Sequence, residues 1–283
     1  MKDTANIKDQ SMQVKGVLLN FNKPLTMGVL NITGDSFYAG SRNAFKEQYL
    51  PKALKMAAEG ADILDIGAYS TRPGANEVDE LTEIKKLTEA ISIIRGALPG
   101  MIISADTFRA SVAREAVAAG ADIINDIGGG TLDDQMFETV AALRVPYILM
   151  HMRGNPQTMN SKAVYADLVG EIVFELSEKV NRLHELGVAD IIIDPGFGFA
   201  KTALQNFELL KRLDELSIFN APILAGLSRK SMIWRTLKIT PDEALNGTTA
   251  LNMVALMNGA KILRVHDVKE ASEAIQLWEV YKG

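Results

Sequence analysis

Gly60-Ala-Asp-Ile-Leu-Asp-Ile-Gly67 is one of four versions of a single pattern in this sequence. The others are Gly120-Ala-Asp-Ile-Ile-Asn-Asp-Ile127, Gly187-Val-Ala-Asp-Ile-Ile-Ile-Asp194 and Gly259-Ala-Lys-Ile-Leu-Arg-Val-His266. In each version a glycine suits the left-handed residue that ends a helix, and an apolar strand follows after a short turn. Repeated helix–strand units with polar groups at the strand ends are typical of a parallel α/β barrel.

Eight apolar runs predict eight strands, and most runs are continuous, as expected of parallel strands buried on both faces. They cover residues 26–31, 62–67, 101–106, 121–126, 147–151, 190–195, 222–227 and 261–266. The alternation of strands and helices predicts a (β/α)8 TIM barrel over residues 25–283 as a single domain. An open, doubly wound sheet is the alternative fold. We expect residues 1–24 to form an extension that packs on the N-terminal end of the barrel.

The helices between the strands have their own signals. Two apolar stripes recur at helical spacing: Leu81, Ile84, Leu87, Ile91 and Ile94, and then Leu168, Ile172, Leu176, Val180 and Leu183. Thr202-Ala-Leu-Gln205 and Thr240-Pro-Asp-Glu243 are capping-box patterns, so each predicts the start of a helix.

Composition narrows the class of protein. The chain of 283 residues has no cysteine, which excludes a disulfide framework, a thiolate metal site and a cysteine nucleophile. Its formal net charge of −5 argues against general nucleic-acid binding. No apolar run approaches the ~20 residues of a membrane helix, and residues 1–10 lack the apolar segment of a signal peptide. We therefore expect a cytoplasmic enzyme without membrane partners.

Polar side chains cluster at the predicted strand ends. Asp106, Asn125 and Asp194 are the members for which we expect a ligand, whereas Asp65 and Asp126 fit the commoner role of capping a turn. Several carboxylate and amide groups at one barrel mouth require a cation or a ligand that offers several N–H donors. A flat heterocycle with amino and ring N–H groups is such a ligand.

Basic groups predict an anion site at the same end. Arg264 lies inside a short apolar strand and needs an anionic partner, and His266, two residues later, is expected to face the same side. Phosphate groups in barrels often bind after strands seven and eight. The other predicted members of this anion site are Asn31, Thr71 and Arg72. We interpret Arg229 as a solvated surface charge.

Three further features have structural interpretations. His151 is either a hydrogen-bonded structural histidine or a catalytic one. No pair of histidines has metal-ligand spacing, so a zinc or iron hydrolase is not expected. Residues 128–130, three glycines, predict a turn. Core packing is the favoured interpretation of four apolar residues that would otherwise line a pocket: Met150, Met152, Phe197 and Phe199.

Several blocks, in order along the chain, together resemble the dihydropteroate synthase family of pterin-binding barrels. The blocks include Met27-Gly-Val-Leu-Asn-Ile-Thr33, Ser70-Thr-Arg-Pro-Gly74, Asp106-Thr107, Asn125-Asp-Ile127, Asp194-Pro-Gly-Phe-Gly-Phe199, Ser228-Arg-Lys-Ser231 and Arg264-Val-His-Asp267. The resemblance implies an enzyme of folate biosynthesis that joins a hydroxymethyl-dihydropterin pyrophosphate to para-aminobenzoate. Dihydropteroate forms, pyrophosphate leaves, Mg²⁺ assists, and sulfonamides compete with the aminobenzoate.

The resemblance also implies roles for individual residues. The residues that match the pterin contacts are Asp106, Asn125, Asp194 and Lys230. Those that match the pyrophosphate site are Asn31, Thr71, Arg72, Arg264 and His266, with Asn31 also matching the metal ligand. Those that match the aminobenzoate pocket are Phe37, Pro73, Phe197, Ser228 and Lys230. The implied catalytic set is Asp106, Asp194, Lys230, Arg264 and His266. We expect C–O cleavage to precede attack by the arylamine.

Some implications are open. Gly34 stands where the family usually has proline, which makes this loop more flexible, and Ala68-Tyr69 stands where Gly-Glu is commoner. The competing functions are a methyltetrahydrofolate-dependent methyltransferase barrel and a non-catalytic pterin-binding relative. The family implies a homodimer; a stripe of Ala271, Ile275 and Trp278 on the last helix faces either a partner or the barrel.

Overall fold

The computed structural model describes residues 10–32, 46–69 and 78–283. Its strands are β1 Ser11–Val14, β2 Val17–Asn20, β3 Leu25–Asn31, β4 Ile63–Gly67, β5 Ile102–Asp106, β6 Ile123–Asp126, β7 Tyr147–Met150, β8 Ile191–Asp194, β9 Leu224–Ala225 and β10 Ile262–Val265. Its α-helices are α1 Leu50–Ala58, α2 Glu80–Ala97, α3 Ala110–Ala118, α4 Met136–Leu143, α5 Leu168–Glu185, α6 Ala203–Lys211, α7 Ser231–Leu237, α8 Leu245–Met257 and α9 Val268–Lys282. Within these ranges, no helix has the length and apolar character needed to cross a bilayer.

Strands β3 to β10 form one sheet whose hydrogen-bonded order is β8-β7-β6-β5-β4-β3-β10-β9, with every pair parallel. The two ends of this sheet meet where Ile193 forms a parallel bridge with Ile223. The Ile193 amide also donates to the Pro222 carbonyl at 2.9 Å. The sheet therefore closes on itself. The predicted (β/α)8 barrel is confirmed, and the alternative of an open sheet is wrong.

The main core lies between the strands and the helices. The predicted stripe of α5 is buried along its whole length. The predicted stripe of α2 is wrong at its start, because Leu81 is 77 % exposed. Leu81 and the buried Leu87 are six positions apart in sequence, which places the two side chains about 120° apart around the helix. Glu83 takes the inward position of that first turn and is fully buried.

A hairpin lies at the N-terminal end of the barrel, where β1 and β2 pair antiparallel. Met12, Val14 and Phe21 are buried there and join one apolar cluster with residues from the starts of the barrel strands. Those strand residues include Met27, Ile63, Ile123, Ile148, Ile192, Leu224 and Ile262. The hairpin thus closes the end of the barrel opposite to the strand C-termini. Residues 1–9 of the predicted extension lie outside the described residues.

The two capping-box patterns have different outcomes. Thr202 caps α6: its hydroxyl accepts from the Gln205 amide at 3.2 Å, and its own amide donates to the Gln205 side chain at 2.8 Å. Thr240 makes only part of this pattern, because its amide and its hydroxyl both donate to the Glu243 carboxylate, at 2.9 and 2.8 Å. The Glu243 amide donates to the Thr240 carbonyl and not to its hydroxyl. However, residues 241–244 form a turn and α8 begins only at Leu245. The prediction of a helix start at Thr240 is therefore wrong, because the bonds between Thr240 and Glu243 close a turn.

The stripe on the last helix faces the barrel. Ala271, Ile275 and Trp278 on α9 are all buried in the core. The opposite side of α9 exposes Leu277, at 67 %, and Val280, at 84 %. The sequence allowed this stripe to face either a partner or the barrel, and in the structure it faces the barrel.

Candidate active site

The C-terminal ends of the strands bring together the polar side chains that the sequence singled out. These are Asp65 on β4, Asp106 on β5, Asn125 on β6, Asp194 on β8 and Arg264 on β10. Gly67, at the end of β4, allows the close approach of β5, since a Cβ there would lie 3.3 Å from the Cβ of Asp106. The predicted convergence of Asp106, Asn125, Asp194 and Arg264 at one end of the barrel follows from parallel strand register.

Arg264 is the centre of a buried hydrogen-bond network. Its Nε donates to Asp65 Oδ2 at 2.7 Å, and its Nη2 donates to Asp106 Oδ2 at 2.7 Å. Asn125 Nδ2 donates to the same Asp65 oxygen at 3.0 Å. The sequence correctly predicted an anionic partner for Arg264, and two partners come from across the barrel, on β4 and β5. The interpretation of Asp65 as a turn cap is wrong, because its carboxylate pairs with an arginine about 200 residues away in sequence.

Asp126 is the carboxylate that does cap a turn. It accepts from the amides of Gly128 and Gly130, at 2.6 and 2.7 Å, and from the Tyr147 hydroxyl at 2.6 Å. Residues 128–130 form the predicted turn. Asp126 is thus held within the protein, and it is not free to bind a ligand.

The charge of Asp106 is finely balanced. Burial, with the nearby carboxylates of Asp65 and Glu83, raises the pKa of Asp106 to about 7 against the opposing attraction of Arg264. One guanidinium thus faces two carboxylates, and its charge does not balance both of them. A ligand that donates N–H bonds to Asp106 would favour its ionised form.

Asp194 and Lys230 form a second charged region across the barrel mouth. Asp194 accepts from the Gly196 amide at 2.8 Å, and burial raises its pKa against the attraction of Lys230. Lys230 donates to the Phe197 carbonyl and lies 4.7 Å from the centre of the Phe199 ring. Burial lowers the pKa of Lys230 to about 8. The two groups can present a carboxylate acceptor and an ammonium donor to the same ligand.

Ser228 and His266 form a pair at the edge of the site. Ser228 Oγ accepts from the His266 amide at 3.1 Å and lies 3.0 Å from His266 Nδ1. If the hydroxyl donates to Nδ1, Nε2 carries the ring proton and the histidine is a donor at its exposed side. β10 ends at Val265, so the alternation of a strand does not extend to His266. Arg264 pairs with Asp65 and Asp106, whereas His266 pairs with Ser228; that the two side chains face the same side stays a prediction.

The interpretation of Arg229 as a solvated surface charge is wrong. Its Nε and Nη2 donate to the two carboxylate oxygens of Asp267 at 2.9 and 2.8 Å. Its Nη1 donates to the backbone carbonyl of Asp242 at 2.9 Å. The backbone of Arg229 is left-handed, with φ +56°, and its amide donates to Thr248. Arg229 fixes the turn that carries Ser228 and Lys230.

The predicted aminobenzoate pocket is described in part. Phe37 and Pro73, with Thr71, Arg72 and Gly34, lie outside the described residues. The Phe197 ring is fully buried in the core, so its carbonyl, and not its ring, reaches the site, which differs from the expectation of a ring lining the pocket. Met150 and Met152 are buried in a small apolar cluster against which Phe199 packs.

Sequence reasoning missed a network beneath this site. His151 is buried, its Nε2 lies 3.0 Å from Glu175, and its Nδ1 lies 3.1 Å from Lys201. Arg153 binds the same glutamate. His151 is thus a hydrogen-bonded structural histidine in this structure. Lys201 and Glu175 have no motif of their own; the one signal for Lys201 is its position three residues after Gly198, the second glycine of the loop that follows β8.

A second missed network supports the turn after β5. Glu83 on α2 accepts from the Thr107 hydroxyl at 2.7 Å and forms an ion pair with Arg109. Burial raises the pKa of Glu83, although both partners oppose the shift. The Arg109 guanidinium also lies 5.5 Å from the Tyr69 ring centre. Glu83 therefore ties the residues that follow Asp106 to α2.

Comparison with known proteins finds the same family that the sequence motifs resemble. The model of the pterin binding enzyme family matches residues 27–266. The dihydropteroate synthase of Escherichia coli K12 is 40 % identical over 267 residues, which cover 94 % of each chain.

Two solved structures have the same fold. The Yersinia pestis dihydropteroate synthase in a sulfonamide drug complex has a TM-score of 0.90 and 37 % identity, covering 96 % of this chain and 99 % of that one. The Xanthomonas albilineans enzyme in complex with 7,8-dihydropteroate has a TM-score of 0.83 and 33 % identity, covering 96 % and 98 %. With the site geometry, these matches show that this chain belongs to the pterin-binding enzymes, as a member of the dihydropteroate synthase family of folate biosynthesis.

Proposed function

We propose that this chain condenses (7,8-dihydropterin-6-yl)methyl pyrophosphate with para-aminobenzoate to give 7,8-dihydropteroate and pyrophosphate. The observation that carries this proposal is the set of carboxylate, amide and cationic groups that converge at one end of the barrel, in a chain of this family.

The pterin ring is proposed to lie against Asp106, Asn125, Asp194 and Lys230. A pterin carries amino and ring N–H donors beside carbonyl and ring-nitrogen acceptors. The two carboxylates suit the donors, and the Lys230 ammonium suits an acceptor. Each charge-assisted hydrogen bond contributes about 1.5–3 kcal/mol.

The pyrophosphate is proposed to bind Asn31, Thr71, Arg72, Arg264 and His266. Asn31 ends β3 with an exposed side chain, and its amide oxygen is a hard donor that suits Mg²⁺. Asn31 would hold Mg²⁺ together with pyrophosphate oxygens and water, and the ion would offset the charge of the leaving group.

The proposed reaction begins with cleavage of the bond between the pterin methylene carbon and the pyrophosphate oxygen, which takes the electron pair. Asp106 and Asp194, in their ionised forms, stabilise the cationic pterin that remains. The arylamine nitrogen then forms the new C–N bond and loses its proton to water. An electrophile that is already cationic needs no strong base. Exclusion of water protects the cation until the amine attacks.

The arylamine is proposed to bind beside Ser228 and Lys230, with Phe37, Pro73 and the segment around Phe197. Lys230 bonds to the Phe197 carbonyl, so it joins the pterin side of the site to the arylamine side. Sulfonamides, which resemble the arylamine, are expected to compete at this place.

The test is pyrophosphate release by the purified protein with Mg²⁺ and the pterin pyrophosphate, with and without para-aminobenzoate. We expect release to require both substrates and dihydropteroate to accumulate in equal amount. Pterin binding without turnover would instead favour a non-catalytic relative, and methyl transfer from methyltetrahydrofolate would favour the methyltransferase alternative.

A homodimer is proposed through the exposed sides of α8 and α9, which pack against each other. Their exposed apolar residues are Val254, Met257, Leu277, Val280 and Tyr281. Such a cluster on adjacent helices is typical of a protein–protein interface. A cytoplasmic location stays a prediction, which cell fractionation tests.

A further inference from the structure

The loop from Asp194 to Ala200 has an unusual backbone. Gly196 and Gly198 have φ of +72° and +79°, and Ala200 has φ of +48° although it is not a glycine. A Cβ on Gly196 would lie 2.0 Å from the His151 carbonyl oxygen, so the loop crosses directly over the end of β7. A left-handed alanine is unfavourable by about 1–3 kcal/mol, and it persists only where the surroundings fix it.

Lys201 makes several of the hydrogen bonds that hold this loop in place. Its Nζ lies 3.1 Å from each of three acceptors: the carbonyls of Gly196 and Phe199, and His151 Nδ1. An ammonium has three donors and no acceptor, so all three bonds are satisfied only when Lys201 is protonated. The lysine thus joins both ends of the loop to the histidine beneath it.

A chain of charged groups orients His151 toward Lys201. Arg153 Nε donates to Glu175 at 2.8 Å and holds the pKa of that carboxyl low, at about 2, together with the bond from His151. Burial lowers the pKa of His151 to about 4, so its ring is neutral. The Nε2–H group of His151 donates to the ionised Glu175. His151 Nδ1 is therefore the acceptor for Lys201.

A further bond reaches the loop from the same cluster. The Tyr165 hydroxyl donates to the Ala200 carbonyl at 3.0 Å, and the Arg153 guanidinium lies 4.0 Å from the centre of the Tyr165 ring. The carbonyls of Gly196, Phe199 and Ala200 are therefore all held from below. None of these groups is among the residues assigned to either substrate.

We propose that Lys201 is a positioning residue for the pterin site. It holds the loop of residues 194–200, and this keeps Asp194 and the Phe197 carbonyl in place. The Phe197 carbonyl in turn positions Lys230, which donates to it. Lys201 acts through the loop and touches no reacting atom. This inference rests on the proposed function, because it concerns how tightly the pterin ring is bound. It predicts a loss of pterin affinity that exceeds any loss of arylamine affinity.

The test measures the dissociation constant of 6-hydroxymethylpterin, a probe that binds without reacting, for Lys201→Met and for the wild type. We expect the constant to rise about tenfold or more, the change that follows from loss of a charged hydrogen bond. The KM for para-aminobenzoate, at saturating pterin pyrophosphate, should rise less than the pterin constant, because the loop contributes only the segment around Phe197 to the arylamine side but both Asp194 and the partner of Lys230 to the pterin side. Lys211→Met, which removes one exposed charge from the end of α6, is the matched control and should bind the pterin like the wild type.

Three results would overturn the inference: an unchanged pterin constant in Lys201→Met, equal losses for both substrates, or the same loss in the control. If Lys201→Met does not fold, Glu175→Gln takes its place, since Glu175 is only half-buried and its change weakens the hold on His151 without emptying the space below the loop. An unchanged pterin constant in that variant overturns the inference as well. Failure of the wild type to bind 6-hydroxymethylpterin would count against the proposed function itself, and so is distinguishable.

Discussion

Arg264 carries one positive charge and faces two carboxylates, those of Asp65 and Asp106. Asp65 is fully buried, and its Oδ1 has no hydrogen-bond partner among the described residues, so its stabilising bonds all reach Oδ2. Removal of the guanidinium would leave two buried carboxylates beside each other. The pair therefore depends on Arg264 for stability as well as for substrate binding.

We expect Arg264→Met to lower the free energy of unfolding by about 3–5 kcal/mol at pH 7. Without the attraction of Arg264, the folded-state pKa of Asp106 would rise further above its unfolded value, so the loss should be smallest at acidic pH and should grow as the pH rises. Urea unfolding at several pH values measures this. Arg229→Gln, which breaks a more exposed pair, should lose less; an equal loss in both variants, or a loss independent of pH, would contradict the argument.

Asp106→Asn keeps the shape of the site and removes a charge. We expect kcat to fall about 10²–10³-fold, the usual effect of losing one electrostatic contact with a transition state. The stability should be kept, because Arg264 retains Asp65. Steady-state kinetics with both substrates measure the effect, with the exposed Asp134→Asn as control. Unchanged turnover would refute the proposed stabilisation of a cationic pterin.

The sequence predicted the strand-end residues because parallel strands place their C-termini at one end of a barrel. It did not predict their partners. The pairs Arg264–Asp65, Arg229–Asp267 and Lys201–His151 join residues 199, 38 and 50 positions apart. No local pattern encodes such distances, so Asp65 and Arg229 were assigned to the commoner roles of their residue types.

At the scale of elements, the hairpin of β1 and β2 and the active site lie at opposite ends of the barrel. Phe21 is buried among the inner residues of the barrel strands, far along those strands from the catalytic groups. Stability and activity are therefore expected to respond separately to changes at the two ends.

Phe21→Ala should lower the free energy of unfolding by about 3–5 kcal/mol, because it leaves a cavity in a closed apolar cluster. The kcat of the folded variant should stay within about twofold of the wild type, since the strand C-termini are unaffected. Urea unfolding and steady-state kinetics, below the unfolding range, check the two parts. Leu18→Ala, on the exposed side of the same hairpin, should change stability by less than about 0.5 kcal/mol; a large loss of kcat in Phe21→Ala would show that the two ends are coupled.

Element boundaries were predictable to within one to two residues where a strand was long and apolar, as in β4 and β5. They failed where local bonds fit two structures. The amides of Thr202 and Thr240 both donate to the side chain three residues later, but only the Thr202 hydroxyl accepts the return bond, and only Thr202 continues into a helix. The difference depends on whether the following residues can pack an apolar face, which a four-residue pattern does not contain.

At the scale of the whole molecule, α8 and α9 leave an apolar surface that the single chain does not cover. The barrel side of α9 is already packed, so the exposed Leu277 and Val280 have no role in the fold of one chain. The sequence predicted one apolar stripe on this helix, but it could not say whether that stripe faces the barrel or a partner.

We expect the double variant Leu277→Glu and Val280→Glu to be monomeric by light scattering after gel filtration, while the wild type is dimeric. Two charges that face each other across a symmetric interface would have to lose their hydration together. Leu204→Glu, at an equally exposed leucine on α6, should leave the association unchanged. A monomeric wild type at micromolar concentration would rule out the proposed interface.

β9 is only two residues long, and the barrel closes between β8 and β9 through the single bridge of Ile193 with Ile223. This seam also separates Asp194 from Lys230, the two charged groups proposed to contact one pterin ring. A ring bound to both would span the seam and tie the two strands together above it. Amide hydrogen exchange around residues 191–194 and 223–225 should therefore be among the fastest of the barrel strands in the free protein, and it should slow most when a pterin binds.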